Sequence, residues 1–381
     1  MKIITIIGAR PQIIKAAALS RAIKNKFSNQ IEEFIIHTGQ HYDQNMSEVF
    51  FEELSIPKPS INLNIGSGSH GKQTALMIEQ IEAILIREQP NAIVVYGDTN
   101  STLAASIAAS KIHIPIVHIE AGLRSFNKKM PEEINRILCD HSSTLLFSPT
   151  KTGFNNLIHE GFKTNTTASY TADNPGIFLC GDIMYDNSIH FSNLSDENST
   201  LINDLELTKN AFILATVHRN NNTDNVTNLN EIFNSFLTIA SEFNKKIVLP
   251  LHPRTKKMLP SILNQNLYKS IIENTNIKII VPVSFLDMIA LEKHAKLIIT
   301  DSGGVQKEAF FFKKPCIILR QETEWPELVE YGVATICGAN SKKIILAYNY
   351  FTNKTDELSY PNIFGDGKAA QFICEQLINN F

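Results

Sequence analysis

Short apolar runs alternate with helix-period segments along the whole chain, and that alternation leaves few folds open. Strand candidates lie at residues 3–7, 33–37, 92–95, 116–119 and 145–148, then at 212–216, 246–249, 277–281, 297–300 and 316–319. Between them, segments such as 73–86 repeat apolar residues with a helical period. Strands that alternate with helices pair in parallel and are covered by those helices. The chain has 381 residues, more than one ordinary core holds. A stretch rich in Thr, Asn, Ser and Asp, 165–204, reads as a linker. We therefore expect an α/β protein of two doubly wound parallel-sheet domains, 1–175 and 176–365. Functional loops should sit at the carboxyl ends of the strands, and ligand in a central cleft.

Composition narrows the function classes. A hydrophobic fraction of 43% with a net charge of −3 describes a soluble globular chain without the basic footprint of a nucleic-acid binder. No apolar run reaches membrane-spanning length, and Met1-Lys2 leads directly into a strand-like run. We expect a cytoplasmic protein with no membrane partner. The five cysteines, Cys139, Cys180, Cys316, Cys337 and Cys374, are scattered and form no C-x-x-C pair. They read as reduced structural thiols, not as a zinc site or a disulfide framework.

The most informative loop is Asp301-Ser302-Gly303-Gly304, between the apolar run at 295–299 and an amphipathic segment. A Ser-Gly-Gly at a helix N-terminus offers unpaired N–H groups and a favourable dipole to an anion, and its glycines let a phosphate or ribose approach. Glu308 follows about one and a half helical turns later, where a carboxylate can accept from ribose hydroxyls. The first strand ends in Gly8-Ala9-Arg10-Pro11-Gln12, with Lys15 close behind. Pro11 suits the start of a helix. Arg10 and Lys15 together suit a pyrophosphate, although a solvated basic pair is the blander reading. His218-Arg219 and His252-Pro253-Arg254 each follow a strand and resemble a phosphate-facing rim.

Three carboxylates come from consecutive loops at one sheet edge: Asp98 in YGDTNS, Glu120 in HIEAGLR and Glu132 in MPEEINR. Carboxylates gathered in a cleft can divide acid and base duties. His118-x-Glu120 echoes a zinc deaminase, but no Pro-Cys-x-x-Cys follows. Gly66-Ser67-Gly68-Ser69-His70-Gly71 matches G-x-G-x-x-G in letters only, because no buried strand precedes it.

These blocks, GARPQIIK, HTGQHYDQNM, YGDTNSTLA, HIEAGLRS, MPEEINR, TVHRNNNTDN, LHPRTKK, TDSGGVQKEA and ETEWPE, run in one order over almost the whole chain. In that order they resemble the non-hydrolysing UDP-N-acetylglucosamine 2-epimerases. The resemblance implies two Rossmann-like domains of the glycosyltransferase-B architecture, with a C-terminal helix, 366–381, completing the first. It implies a homodimer, a UDP-sugar substrate, and no metal or nicotinamide cofactor. UDP-GlcNAc and UDP-ManNAc would interconvert through 2-acetamidoglucal, for bacterial surface polysaccharide precursors. By carry-over, Asp98, Glu120 and Glu132 would handle protons, and Arg10, Lys15 and His218 would face the diphosphate. Ser302, Gly303, Gly304 and Glu308 would hold phosphate and ribose. Trp325, in place of a common Arg, and the GGVQKEAFFFKKPC block also resemble the subgroup acting on UDP-2,3-diacetamido-2,3-dideoxyglucuronate. A UDP-sugar glycosyltransferase is the rival from another reaction class.

Overall fold

Ile3, Ile4, Ile6 and Ile7 are fully buried in the first strand, β1 (Lys2–Ile7). A parallel strand hidden on both faces has no reason to alternate, so it reads as one apolar run. The computed structural model describes residues 1–40, 56–251, 253–354 and 357–381. Parallel partners of β1 are β2 (Glu32–His37) and β4 (Ala92–Tyr96). The sheet continues with β3 (Ile61–Asn62) beside β2, and with β5 (Ile116–Ile119), β6 (Leu145–Ser148) and β7 (Gly176–Leu179) beyond β4. Its order is β3-β2-β1-β4-β5-β6-β7. The direction of winding reverses between β1 and β4, so the loops after these two strands flank the switch point, where such sheets bind ligands.

The second sheet holds β8 (Ile213–Thr216), β9 (Ile247–Pro250), β10 (Ile277–Ile280), β11 (Leu297–Thr300), β12 (Cys316–Ile318) and β13 (Ala334–Ile336). Its order is β10-β9-β8-β11-β12-β13, again all parallel, with the switch point between β8 and β11. Ile213, Ile247, Leu249, Ile299 and Ile317 pack with Phe233 and Phe236 of the helix Val226–Glu242 into one apolar core. Two α/β parallel-sheet units thus stand where two were expected.

The stretch expected to be a linker, 165–204, is instead largely structured. It contains β7 and the helices Ile183–Asn198 and Leu201–Asp204. β7 pairs with β6 from Leu145↔Gly176 to Ser148↔Leu179 and forms the edge of the first sheet. An edge strand is only half covered, and Gly176–Leu179 is mostly exposed or intermediate, so no long apolar run marks it. The first unit comprises Met1–Ile189 with Asn362–Phe381, and the second His190–Pro361. The changeover therefore falls inside the helix Ile183–Asn198 rather than at 175/176. The last helix, Ala369–Asn380, belongs to the first unit, where Phe372 meets Phe147 and Phe178. Asp186 accepts the N–H groups of Ala369 and Ala370 at its start (3.1 and 2.8 Å). Among the described residues no helix is long and apolar enough to cross a membrane. All five cysteines are free thiols.

Candidate functional site

At the switch point of the first unit, the turns after β1 and β4 are tied together by one buried side chain. Gln12 accepts the N–H groups of Gly8 (2.9 Å) and Ala9 (3.1 Å), and donates to the Tyr96 carbonyl and the Thr102 hydroxyl (both 3.0 Å). Gly8 has no room for a side chain: a Cβ would lie 2.1 Å from Ser101 Oγ and 2.2 Å from Thr38 Oγ1. Arg10 is exposed at the start of the helix Arg10–Ala22, and Lys15 points back toward the strand ends.

Two carboxylates meet two cations there. Glu120, just past β5, pairs with Lys15, both side chains being about nine-tenths buried. Asp98 pairs with Arg136 of the helix Pro131–Asp140. Burial pushes the Asp98 carboxyl above its ordinary range, opposed by the charges of Arg136 and Lys15 and reinforced by that of Glu120. A carboxyl poised in this way can both take and return a proton. Gly97, at φ +60°, makes the Lys15–Glu120 contact possible, since a Cβ would stand 3.0 Å from Glu120 Oε2 and 3.2 Å from Lys15 Nζ. Gly97→Ala is expected to cost about 1–2 kcal/mol from the left-handed backbone alone and to lower turnover by crowding that pair. Thermal melting and steady-state kinetics check this, and unchanged values of both would remove Gly97 from the site.

Glu132 is not drawn into this cluster. It is exposed in the first turn of Pro131–Asp140 and has no ion-pair partner among the described residues. Its neighbour Glu133 points inward, accepting from the Ser125 and Phe126 N–H groups (both 2.9 Å), the Ser125 hydroxyl (3.0 Å) and Arg136 (3.1 Å). Two consecutive helical residues face directions about 100° apart, so only one of the pair can anchor the loop.

The second unit gathers its site at its own switch point. Asp301, directly after β11, is fully buried. Its carboxylate accepts the N–H groups of His218 and Arg219 (both 3.1 Å) and the Asn222 amide (3.0 Å). His218 Nδ1 lies 3.0 Å from the same carboxylate, with the half-exposed ring above it. Burial alone would raise Asp301, but the hydrogen bonds and charge from His218, with those of Asn222 and Arg219, hold it below its ordinary range. Ser302 caps the helix Gly303–Phe311 by accepting from the Val305 N–H (3.4 Å). The first N–H groups of a helix have no acceptor within it, which leaves this turn suited to an anion.

A rim of side chains lies beside that turn. Trp325 Nε1 donates to the Gly303 carbonyl (3.1 Å), and the Lys307 ammonium lies 4.2 Å from the centre of the Trp325 ring. Arg320 forms a two-pronged pair with Glu324 (2.8 and 2.9 Å), both within 4 Å of where a Gly303 side chain would begin. Glu308 Oε2 would lie 3.9 Å from a Cβ on Gly304, so the carboxylate stands beside the open glycine. Ser302, Gly303, Gly304 and Glu308 thus lie together, next to His218 on the neighbouring strand end.

Several contributors carried no signal strong enough to be singled out from sequence. Gln12, Arg136 and Asp301 reach partners remote in the chain, whereas Arg320 pairs with Glu324 only four residues on. Arg136 had a faint local cue, its i+3 spacing from Glu133. His252, the Arg254 side chain and the segment His41–Met46 of the HTGQHYDQNM block lie outside the described residues. The glycine-rich stretch 66–71 runs into the helix His70–Glu88, three residues or more beyond the short, half-buried β3.

Comparison with known proteins places these two centres in context. A family model described as UDP-N-acetylglucosamine 2-epimerase matches residues 23–378. The chain is 49% identical to a UDP-N-acetylglucosamine 2-epimerase homolog of Methanococcus maripaludis, over 100% of both chains. It is 44% identical to the UDP-2,3-diacetamido-2,3-dideoxy-D-glucuronate 2-epimerase of Pseudomonas aeruginosa, over 99% of both. Among solved structures it resembles the Methanocaldococcus jannaschii UDP-GlcNAc 2-epimerase in complex with UDP-GlcNAc and UDP, with a TM-score of 0.85, 42% identity and full coverage of both chains.

Proposed function

Since this chain belongs to the UDP-N-acetylglucosamine 2-epimerase family, we propose that it inverts C2 of a UDP-N-acetylhexosamine without hydrolysis, interconverting UDP-GlcNAc and UDP-ManNAc. It is an isomerase of UDP-sugars. The observation that carries the mechanism is the pairing of Asp98 and Glu120, each with its own cation, at one switch point. Such a cluster keeps two carboxylates side by side without mutual expulsion of charge.

A C2 proton with no neighbouring carbonyl is released only as the C1–oxygen bond breaks. In the forward direction a carboxylate takes the C2 proton, the C–H electron pair becomes the C1=C2 bond of 2-acetamidoglucal, and UDP leaves with the C1–O pair. Protonation of C2 on the other face and return of the UDP oxygen to C1 complete the inversion, so atoms and electrons balance with no redox partner. Asp98, Glu120 and Glu132 serve the proton steps, with Lys15 and Arg136 holding the first two. Arg10, His218 and the Ser302–Gly304 turn stabilise the diphosphate as its charge grows, and Glu308 takes the ribose. A homodimer in the cytoplasm, feeding surface polysaccharide precursors, accords with this reading.

A second substrate is favoured by one feature. Trp325 is buried against Gly303 under the Lys307 ammonium, which leaves a packed indole where an arginine would bring an exposed charge. UDP-2,3-diacetamido-2,3-dideoxyglucuronate shares the C2 chemistry, and a close relative is named for it. NMR of each UDP-sugar incubated in heavy water tests both. The expected result is reversible epimerisation with deuterium at C2 and UDP still attached, fastest for UDP-GlcNAc. A diacetamidoglucuronate kcat/KM at least about tenfold higher, ~1.4 kcal/mol of transition-state binding, would transfer the assignment. Free sugar, or transfer to an acceptor, would overturn it.

A further inference from the structure

We propose that His118 is a positioning residue for the proton-transfer carboxylates, a buried imidazolium that donates from both ring nitrogens and so locks the loops of Asp98 and Glu120 to one anchor. The proposal rests on the epimerase reading above. His118 lies on β5 and is fully buried. Its Nε2 is 2.8 Å from the Gly97 carbonyl, and its Nδ1 is 2.6 Å from Asp140 Oδ1. A carbonyl can only accept, so Nε2 must carry hydrogen. Asp140 Oδ2 in turn faces the Gly122 N–H (3.1 Å) and the Arg124 guanidinium (2.7 Å). The buried Arg124 guanidinium paired to Asp140 favours the carboxylate. Against burial, its charge with that of His118 holds the carboxyl below its ordinary range, so Nδ1 donates as well.

Charge balance allows this cation in a dry site. His118 and Arg124 supply two positive charges, while Asp140 and Glu160 supply two negative ones, Glu160 holding the far side of Arg124. From the helix Pro131–Asp140 the ring meets Cys139 and Asp140; from the loop after β5 it shares Asp140 with Arg124; from the end of β4 it meets only the uncharged Gly97 carbonyl. The helix Asn100–Lys111 reaches the cluster through Ser106, which donates to the Cys139 sulfur (3.1 Å). Burial would lower the imidazole, but Cys139 and Asp140 outweigh it and raise it well above its ordinary range.

The connections explain why this matters for the reacting groups. Gly97 precedes Asp98. Gly122 follows Glu120, whose backbone sits in the left-handed region at φ +76°. Asp140 lies one helical turn beyond Arg136, the partner of Asp98. One imidazolium and one carboxylate thus set the spacing of all three, without contacting substrate.

The test uses the full-length protein. In His118→Asn and Asp140→Asn, C2 deuterium incorporation should fall about 100-fold, the scale for a misplacement near 1 Å. The Kd for UDP should stay within about twofold, and the pH–rate profile should shift. In the wild type, nitrogen NMR of the ring should show both nitrogens protonated at pH 8, above the ordinary imidazole pKa of about 6.5. An active wild type with unchanged kcat and pH profile in either variant would overturn the role, even if melting temperature fell. If the variants do not fold, the NMR measurement decides: a single N–H at pH 8 overturns the proposal, and two support it. A wild type that places no deuterium on C2 defeats the epimerase reading and this role with it.

Discussion

Asp98→Asn and Glu120→Gln should each lower turnover by about two to four orders of magnitude, the usual scale for a general acid or base. Both changes keep the shape of the side chain and remove its ability to carry the proton. Lys15 and Arg136 remain in place, and each loses a charged partner that is largely hidden from water. UDP affinity should change by no more than a few fold, because neither carboxylate belongs to the Ser302–Gly304 turn. Glu132→Gln should show a comparable loss, and it offers the cleanest readout of the three. Glu132 is exposed and has no ion-pair partner among the described residues, so removing its charge costs the fold only the modest first-turn dipole contribution, about 0.3–1 kcal/mol. Near-normal turnover in all three variants would move the proton chemistry elsewhere.

Asp301→Ala should destabilise the protein by about 1–3 kcal/mol for each buried donor that it strands, and should abolish tight UDP binding. The carboxylate satisfies the His218 and Arg219 N–H groups and the Asn222 amide at once. Removing it strands those donors, although the half-exposed His218 ring recovers some water and favours the lower end of the range. The folded pKa of Asp301 lies below its unfolded value near 3.9. Its contribution to stability is therefore fully present above about pH 4 and lost as pH falls through the folded value. Calorimetric melts from neutral pH downward should show a steep acid decline in the wild type and a flatter one in Asp301→Asn. Parallel acid profiles with equal UDP affinity would show that His218 needs no anchor.

The alternation of apolar runs and helical periods was enough to specify parallel sheets, because strands buried on both faces announce themselves locally, as β1, β4 and β6 do. The Ser302-Gly303-Gly304 turn and the GARPQ turn were legible for the same reason: turn residues act within a few positions of themselves. Where burial is partial, that signal fades. β7 has four residues at a sheet edge, β3 has two, and β13 is half covered, so none stood out from the polar sequence around it.

The pairings inside the site belong to the tertiary structure. Lys15 and Glu120 are 105 residues apart, and His218 and Asp301 83. Each pair meets because the winding of its sheet reverses at the intervening switch point. Sequence nominated Glu132 from the MPEEINR block, but only the docking of the helix Pro131–Asp140 decides that its neighbour Glu133 turns inward and Glu132 outward. It could show His118 in a strand, but not that both its nitrogens face acceptors. Periodicity and turn chemistry are local and survive in the chain as written, whereas ion pairing and burial depend on which distant strand end comes to lie alongside.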